Sequence, residues 1–540
     1  MTAPSYDTDS LCVRDAHADL SAKPRRKTPG GASQRATAPV TALIVLVAAM
    51  AAPPSGAQMV GAPDAPGSQR PVILTTPNGL PMVNIQTPSA AGVSRNVYQH
   101  FNVGPEGAVL NNSRTNVQTQ LGGWVQGNPN LAGGSARIIL NEVNGGNPSQ
   151  LRGYLEVGGQ RAEVIIANPA GISVDGGGFI NASRATLTTG TPQLNSMGGL
   201  DGFLVRGGTI AIDGKGLDLS RTDYAAILAR AVQANAGIWA SELKVVTGAN
   251  QVSADHARVD AVAGTGNAPV YALDVAALGG MYAGKIVLIG TEAGLGVRNA
   301  GTVQAAATNV AGAPLAAAGQ LVVTSAGRLE NLGTLQGTAD ATIAATALAN
   351  NGRVSSGGNL KIATQGDLSN TLAGKGGTIE GSRLELSSTA GDLDNRGGTL
   401  RQTSSASLVL KAPKLSNAGG VIGLEPIAQT PGNPGNPGNP GNPGNPGNPG
   451  NPGNPGNPGN PGNPGTPGNE PGGVTPPPYV PPSPGAIAAA GAVRNDGGRI
   501  YAGGDIDAQS ADVDNNGGTL SVATLTVNQP RFDNHGGTLN

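Results

Sequence analysis

Nine short segments of the chain repeat one another, and that repetition restricts the available folds more than any other feature. Val297-Arg298-Asn299-Ala300-Gly301-Thr302-Val303 recurs as Leu329-Glu330-Asn331-Leu332-Gly333-Thr334-Leu335. Further copies open at Leu348, Leu368, Leu393, Leu415, Val493, Val513 and Phe532, most with Asn-x-Gly-Gly followed by Thr or Arg and an apolar residue. Successive openings lie 32, 19, 20, 25, 22, 78, 20 and 19 residues apart. A fixed period of this size marks a solenoid. Each unit reads as an apolar residue, an Asn-Gly turn and a short strand. A second strand with alternating apolar positions follows, as in Leu360-Lys361-Ile362 and Leu384-Glu385-Leu386. Asn and Gly tolerate positive φ and turn the chain at the same place in every unit. No helical period runs through these segments, and the leucine-rich-repeat signature is absent. The pattern predicts an all-β parallel β-helix, each strand stacked about 4.8 Å above its copy. Its corner Asn residues would align in a column and hydrogen-bond along the axis.

The 78-residue interval contains the tract Pro431–Asn469, with 13 Pro and 13 Gly. Removing residues 427–484 restores an interval of ordinary length. The winding is therefore expected to pass through the tract, with Val421-Ile422-Gly423 before it and Ala486-Ile487-Ala488 after it. Loop-closure entropy grows slowly with length, so a corner insertion leaves the stack intact. Gly at every third position matches the collagen register, but Asn in the other position argues against a stable triple helix. A disordered, extended polyproline-II spacer is expected.

Composition narrows the function classes. A net charge of −1 with 12% charged residues gives no reason to expect nucleic acid or an acidic membrane as partner. Lys23, Arg25, Arg26, Lys27 and Arg35 precede the apolar run Val40–Ala52, which is too short for a membrane span but suits a signal-peptide core. Ser55-Gly56-Ala57 places cleavage between Ala57 and Gln58, making 1–57 the signal peptide and leaving no transmembrane span in the mature chain. The single Cys, Cys12, goes with it, so the exported chain holds together without disulfides.

From about Gly79 to Gly190 the chain resembles the secretion domain of filamentous haemagglutinins and contact-dependent inhibition proteins, the exported partners of two-partner secretion. The matching stretches are Tyr98-Gln99-His100-Phe101-Asn102-Val103, Ala108-Val109-Leu110-Asn111-Asn112-Ser113, Gly127-Asn128-Pro129-Asn130-Leu131, Ile138-Ile139-Leu140-Asn141-Glu142-Val143, Ala167-Asn168-Pro169-Ala170-Gly171-Ile172 and Gly178-Phe179-Ile180-Asn181. The resemblance implies a right-handed parallel β-helix with an N-terminal cap over residues 58–300, continued by repeats over 301–426 and 485–540. It also implies a partner: a dedicated outer-membrane transporter with periplasmic binding domains. The recognition and secretion motifs carried over are Asn128, Pro129, Asn130 and Leu131, and Asn168, Pro169, Gly171 and Ile172. Ala170 stands where the family usually has Asn, which puts that side chain's contact in doubt but not the turn. Asn-Pro starts a turn because Pro fixes φ and the Asn side chain bonds the backbone beyond it. Two readings stay open, corners that only shape the coil and corners that also meet the transporter.

A β-helix also supports polysaccharide lyases, which need clustered acids for Ca²⁺ and a base. His100, His256 and His535 are scattered. Asp201, Asp213, Asp218 and Asp223 read as solvated strand positions with Arg206, Lys215, Arg221 and Arg230 as pairing partners. No catalytic residue, metal or cofactor is expected. About 18 coils over residues 70–426 would project roughly 85 Å. The expected protein is a secreted or surface-exposed adhesin binding an unidentified cell-surface or glycan ligand. The alternatives are the front of a contact-dependent toxin delivery protein and an extracellular lyase. The last residues, Gly536-Gly537-Thr538-Leu539-Asn540, fall early in a coil, which suggests a longer or truncated product.

Overall fold

The computed structural model describes residues 59–306, 318–372, 375–404, 408–424, 486–489, 491–508, 512–527 and 531–540. The signal segment with Ala57 and Gln58, and the whole Pro/Gly insertion at 427–484, lie outside them. The described chain is a parallel β-helix whose strands join three axial columns into one 41-stranded sheet.

The repeat dictates this stacking residue by residue. Val297 pairs with Leu329, Leu329 with Leu348, Leu348 with Leu368, Leu368 with Leu393 and Leu393 with Leu415. Leu415 then pairs with Val493, Val493 with Val513 and Val513 with Phe532. These openings form the third column, so the sequence unit of two strands is in fact a coil of three. The third strand is only two residues long in many coils, as at Leu368–Ser369 and Leu393–Asp394, too short to show periodicity. The pairs Leu415–Val493 and Ile422–Ile500 carry the register past the insertion.

Inward positions build one core reaching from Met59 to Leu520, aliphatic except for Tyr98, Phe101 and Phe179 near its N-terminal end. Leu368, Ile379, Leu384 and Leu386 of a single coil are each 0% exposed, and each such burial contributes about 1.5–3 kcal/mol. The core is capped at the N-terminus by Met59–Gly61, antiparallel to Val93–Phe101, and by Val72–Thr75, antiparallel to Pro81–Asn84.

At the corner from the third column to the first, the Asn residues form an axial ladder. Asn299 Nδ2 donates to Asn331 Oδ1 at 2.8 Å, and the relay continues through Asn350, Asn370, Asn395, Asn417, Asn495 and Asn515 to Asn534 at 2.6–2.7 Å. The Gly-Gly pair that follows has two separate causes. Gly397 has φ +65°, where a side chain is strained. A Cβ on Gly398 would sit 2.6 Å from Asn370 O and 2.7 Å from Asn395 Oδ1.

The expected coil count is too high. The first column passes through thirteen strands from Pro81–Asn84 to Val421–Gly423, which spans roughly 60 Å at 4.8 Å per step. Excursions lengthen the early coils. A hairpin, Val117–Thr119 with Gly123–Val125, precedes Asn128. A four-stranded antiparallel sheet, Thr191–Leu194, Leu200–Val205, Asn250–Ser253 and Val259–Ala261, packs Phe203, Val205 and Val252 on the outside of the second column, against Leu140, Ile165, Leu228 and Val246. Strand Ala162–Ala167 is consequently buried on both faces, and its unbroken apolar run Val164–Ala167 follows from that.

Candidate functional site

The two Asn-Pro motifs lie at different corners. Asn128–Leu131 sits between the first and second columns, and Asn168–Ile172 between the second and third. The structure therefore does not bring them together into one cluster, yet both are built alike. Asn128 is buried and in extended conformation, and Pro129–Leu131 forms a short 3-10 turn behind it. Its Oδ1 accepts from Asn130 N at 3.0 Å, while its Nδ2 donates to Ile85 O at 2.9 Å and Asn111 O at 3.0 Å. Asn168, also buried, accepts from Ala170 N at 2.9 Å and donates to Asn147 O and Ser149 Oγ, both at 3.0 Å. In each motif one side chain closes its own turn and staples it to the preceding coil. A buried amide satisfied in this way is costly to remove.

The apolar residue ending each motif anchors the corner. Leu131 is 0% exposed in the main core. Ile172 pairs with Ser149 on one side and Ile210 on the other. Gly171 has φ +116° and donates to Asn168 O at 3.0 Å, closing the second turn. The departure at Ala170 is now defined: Asn130 Nδ2 adds a bond to Ile85 O at 3.1 Å, which Ala170 cannot make, while the turn bond is kept. What each corner offers to solvent is its Pro ring, Pro129 or Pro169.

Asn111 and Asn112 belong to the first corner, although sequence reading assigned them no role. Asn111 Nδ2 donates to Asn84 Oδ1 and Gln126 O, each at 2.8 Å, and Asn112 bridges Ala136 and Gln160. The adjacent Asn-Asn-Ser was the visible signal.

Of the four aspartates expected to pair with neighbouring cations, Asp218 keeps an electrostatic contribution from Arg221, while the others find different partners. Asp223 pairs with Arg161 at 2.9 Å, Asp218 accepts from Tyr154 Oη at 2.6 Å, Asp213 accepts from Asn235 and Asp201 from Asn195. Hydrogen bonds from Ser220 and Tyr154 outweigh partial burial and hold the Asp218 carboxyl below its ordinary range. Arg230 reaches a different coil, pairing with Glu292 at 2.7 Å; that hydrogen bond raises its pKa. Axial stacking joins Asp213 to Asn235 and, across longer excursions, Arg161 to Asp223 and Arg230 to Glu292, the last two pairs each 62 residues apart. Among the described residues no group of three His, Cys, Asp or Glu is placed to hold a metal ion, and no helix is long and apolar enough to cross a membrane. A groove of about 370 Å³ on the outside of the third column is lined by Asp367, Asp392, Asp394, Arg396, Lys414 and Arg494; Asp394 is taken up by Arg396 at 2.7 Å.

With this geometry in place, the matches to known families are coherent. The TPS secretion domain model matches residues 57–323, the haemagglutinin repeat model matches 309–371 and 485–540, and the collagen triple helix repeat model matches 420–477. Fold and matches define a β-helical protein exported by two-partner secretion, to the cell surface or the medium, and such a domain implies a cognate transporter. The chain belongs to the filamentous haemagglutinin and contact-dependent inhibition type of these exported proteins. It is 54% identical over 278 residues to Toxin CdiA of Yersinia pestis, covering 51% of this chain and 8% of that protein. It is 50% identical over 284 residues to tRNA nuclease CdiA-2 of Burkholderia pseudomallei, covering 52% of this chain and 9% of that protein. The chain thus spans less than a tenth of these relatives' length. It is 29% identical to the crystal structure of the filamentous hemagglutinin secretion domain, covering 68% of this chain and 99% of that one at a TM-score of 0.43.

Proposed function

We propose that the chain is the shaft of a filamentous haemagglutinin-type adhesin, exported through an outer-membrane transporter whose periplasmic domains recognise the N-terminal β-helix. The observation that carries this reading is the unbroken axial register from the cap to Leu539, through the insertion. Each coil formed outside the cell adds ladder bonds and buried aliphatics to a stack already present, so folding draws the chain outward without nucleotide hydrolysis. Replacing Asn128 and Asn130 together by Ala is expected to abolish surface appearance while periplasmic levels persist; undiminished secretion would sink a role for this corner. Pro129→Glu separates the two readings of the corner. It keeps the Asn128 bonds and alters only the exposed ring, so it lowers secretion if the transporter reads the corner and leaves it unchanged if the corner only shapes the coil.

A second reading, delivery of a toxin carried beyond the shaft, is favoured by the names of the relatives. Contact-dependent growth inhibition of a non-producing strain in co-culture supports it, and its absence with a continuous reading frame refutes it. We take the shaft itself to be non-catalytic, since its densest carboxylates are already engaged by Arg161, Tyr154 and Asn side chains. Turnover of a polysaccharide by purified chain in the presence of Ca²⁺ would overturn that.

A further inference from the structure

On the outside of the first column, one row of side chains runs up successive coils in strict register: Trp239 pairs with Tyr282, Tyr282 with Gln304 and Gln304 with Gln336. The rings of Trp239 and Tyr282 lie 6.3 Å apart and within 15° of parallel. Gln304 Nε2 donates to Gln336 Oε1 at 3.2 Å, and among the described residues the other donor and acceptor of that amide pair have no further partner. Two residues earlier on each strand, the same face carries Gly237, Gly280, Thr302 and Thr334, themselves in register.

The glycines are there for the rings. A Cβ on Gly237 would lie 2.5 Å from the Trp239 indole, and one on Gly280 2.7 Å from the Tyr282 ring. Bare backbone lets both rings lean along the sheet. Covering glycine accounts for their tilt, but not for leaving Trp239 43% exposed in a chain that is only 3% aromatic.

The chemistry of the strip singles out its occupant. None of its eight side-chain positions is charged, whereas the same column is charged on both sides of it. Asp218 is held by Tyr154 and Ser220 on one side, and Glu380 is clasped by Arg353 and Arg401 on the other. An anionic or cationic ligand gains nothing on such a strip. A neutral sugar chain does: its C–H faces pack on aromatic rings, and its hydroxyls bond Thr hydroxyls and Gln amides. The spacing suits it as well, because coils repeat every 4.8 Å or so, close to the length of one pyranose residue. We propose that Trp239, Tyr282, Thr302, Gln304, Thr334 and Gln336 form a binding strip for a linear, uncharged polysaccharide lying along the shaft axis. This rests on the adhesin reading and gives it a ligand class.

The chain has two Trp, Trp124 and Trp239. In the full exported chain carrying Trp124→Phe, Trp emission therefore reports on the strip alone. Titration with cellohexaose and chitohexaose is expected to shift that emission saturably with at least one of them, and heparin is not. Tyr282→Ala is expected to weaken binding about tenfold. Gly237→Ala, which keeps both aromatic residues but displaces the indole, is expected to weaken it comparably, with circular dichroism unchanged. The proposal is overturned if neither hexasaccharide shifts the emission, if heparin shifts it equally, or if binding measured by calorimetry survives Trp239→Ala. Cell adhesion by the parent chain distinguishes the failures: adhesion by a chain that binds neither hexasaccharide refutes the strip and leaves the adhesin reading standing.

Discussion

Replacing Asn417 by Ala removes the ladder's link between the coils on either side of the Pro/Gly insertion. The Asn417 side chain is 0% exposed. Its Oδ1 accepts from Asn395 Nδ2 at 2.7 Å, and its Nδ2 donates to Asn495 Oδ1 at 2.7 Å, Arg499 O at 3.1 Å and Gly420 O at 3.2 Å. Asn395 Nδ2 keeps bonds to Gly398 O and Val421 O, but Asn495 Oδ1 is left buried without a donor. The two ladder bonds lost, at about 1 kcal/mol each, with an orphaned acceptor at about 1–3 kcal/mol, give roughly 3–5 kcal/mol. Solenoids do not unfold as a single unit, so the assay is native-state hydrogen exchange read coil by coil. Protection should fall by at least about a hundredfold in residues 393–424 and 491–508, and little near Leu335. A loss below about 0.5 kcal/mol in the flanking coils, or an equal loss throughout, refutes the claim that the ladder ties neighbouring coils. Asn417→Asp sharpens the test. A carboxylate there faces three acceptors, so its folded pKa rises above the unfolded value of about 3.9. The relative stability of that variant is then highest below pH 3.9 and lost as pH rises, leaving it weaker than Asn417→Ala at pH 7 and stronger near pH 3.

Three further outcomes are expected of this fold. His256 is buried against Phe203 and Tyr224 with both ring nitrogens unpartnered; burial above all, then Arg184 and Lys244 against an opposing Asp255, pushes its pKa down to about 3. The unfolded chain takes up that proton first, so the contribution of His256 is complete above pH 6.5. It falls by roughly 1.4 kcal/mol per pH unit below that; urea midpoints for the outer sheet should show this slope, and it should flatten in His256→Asn. Gly397→Asn, which tolerates the left-handed backbone, is expected to cost under about 1 kcal/mol, while Gly398→Ala, driven into Asn370 O, costs more; thermal melts rank them, and the reverse order refutes the stated roles. Deleting residues 427–484 should leave the melting temperature within about 2 °C of the parent, and a larger fall would mean the insertion supports the stack.

Sequence alone determined the winding, because a coil that must pack on its own copy repeats its residues. Leu368, Leu393 and Leu415 could be aligned by eye since each lies on the next, and Asn-x-Gly-Gly was legible because a corner amide and two glycines with distinct steric tasks leave few substitutes. Continuity through the tract was readable for the same reason, the interval being one coil plus an excursion. What only the tertiary structure decided is what the axis brings together. Arg230 met Glu292 rather than a nearby aspartate, Trp239 met Tyr282, and Asn128 met Ile85 and Asn111, because partners on adjacent coils are spaced by excursions of unpredictable length. The outer sheet was likewise invisible: its strands are short and its cover over Ile165 turns an alternating strand into an apolar run. Local chemistry fixes the period of a solenoid, but the contacts across its coils depend on every loop between them.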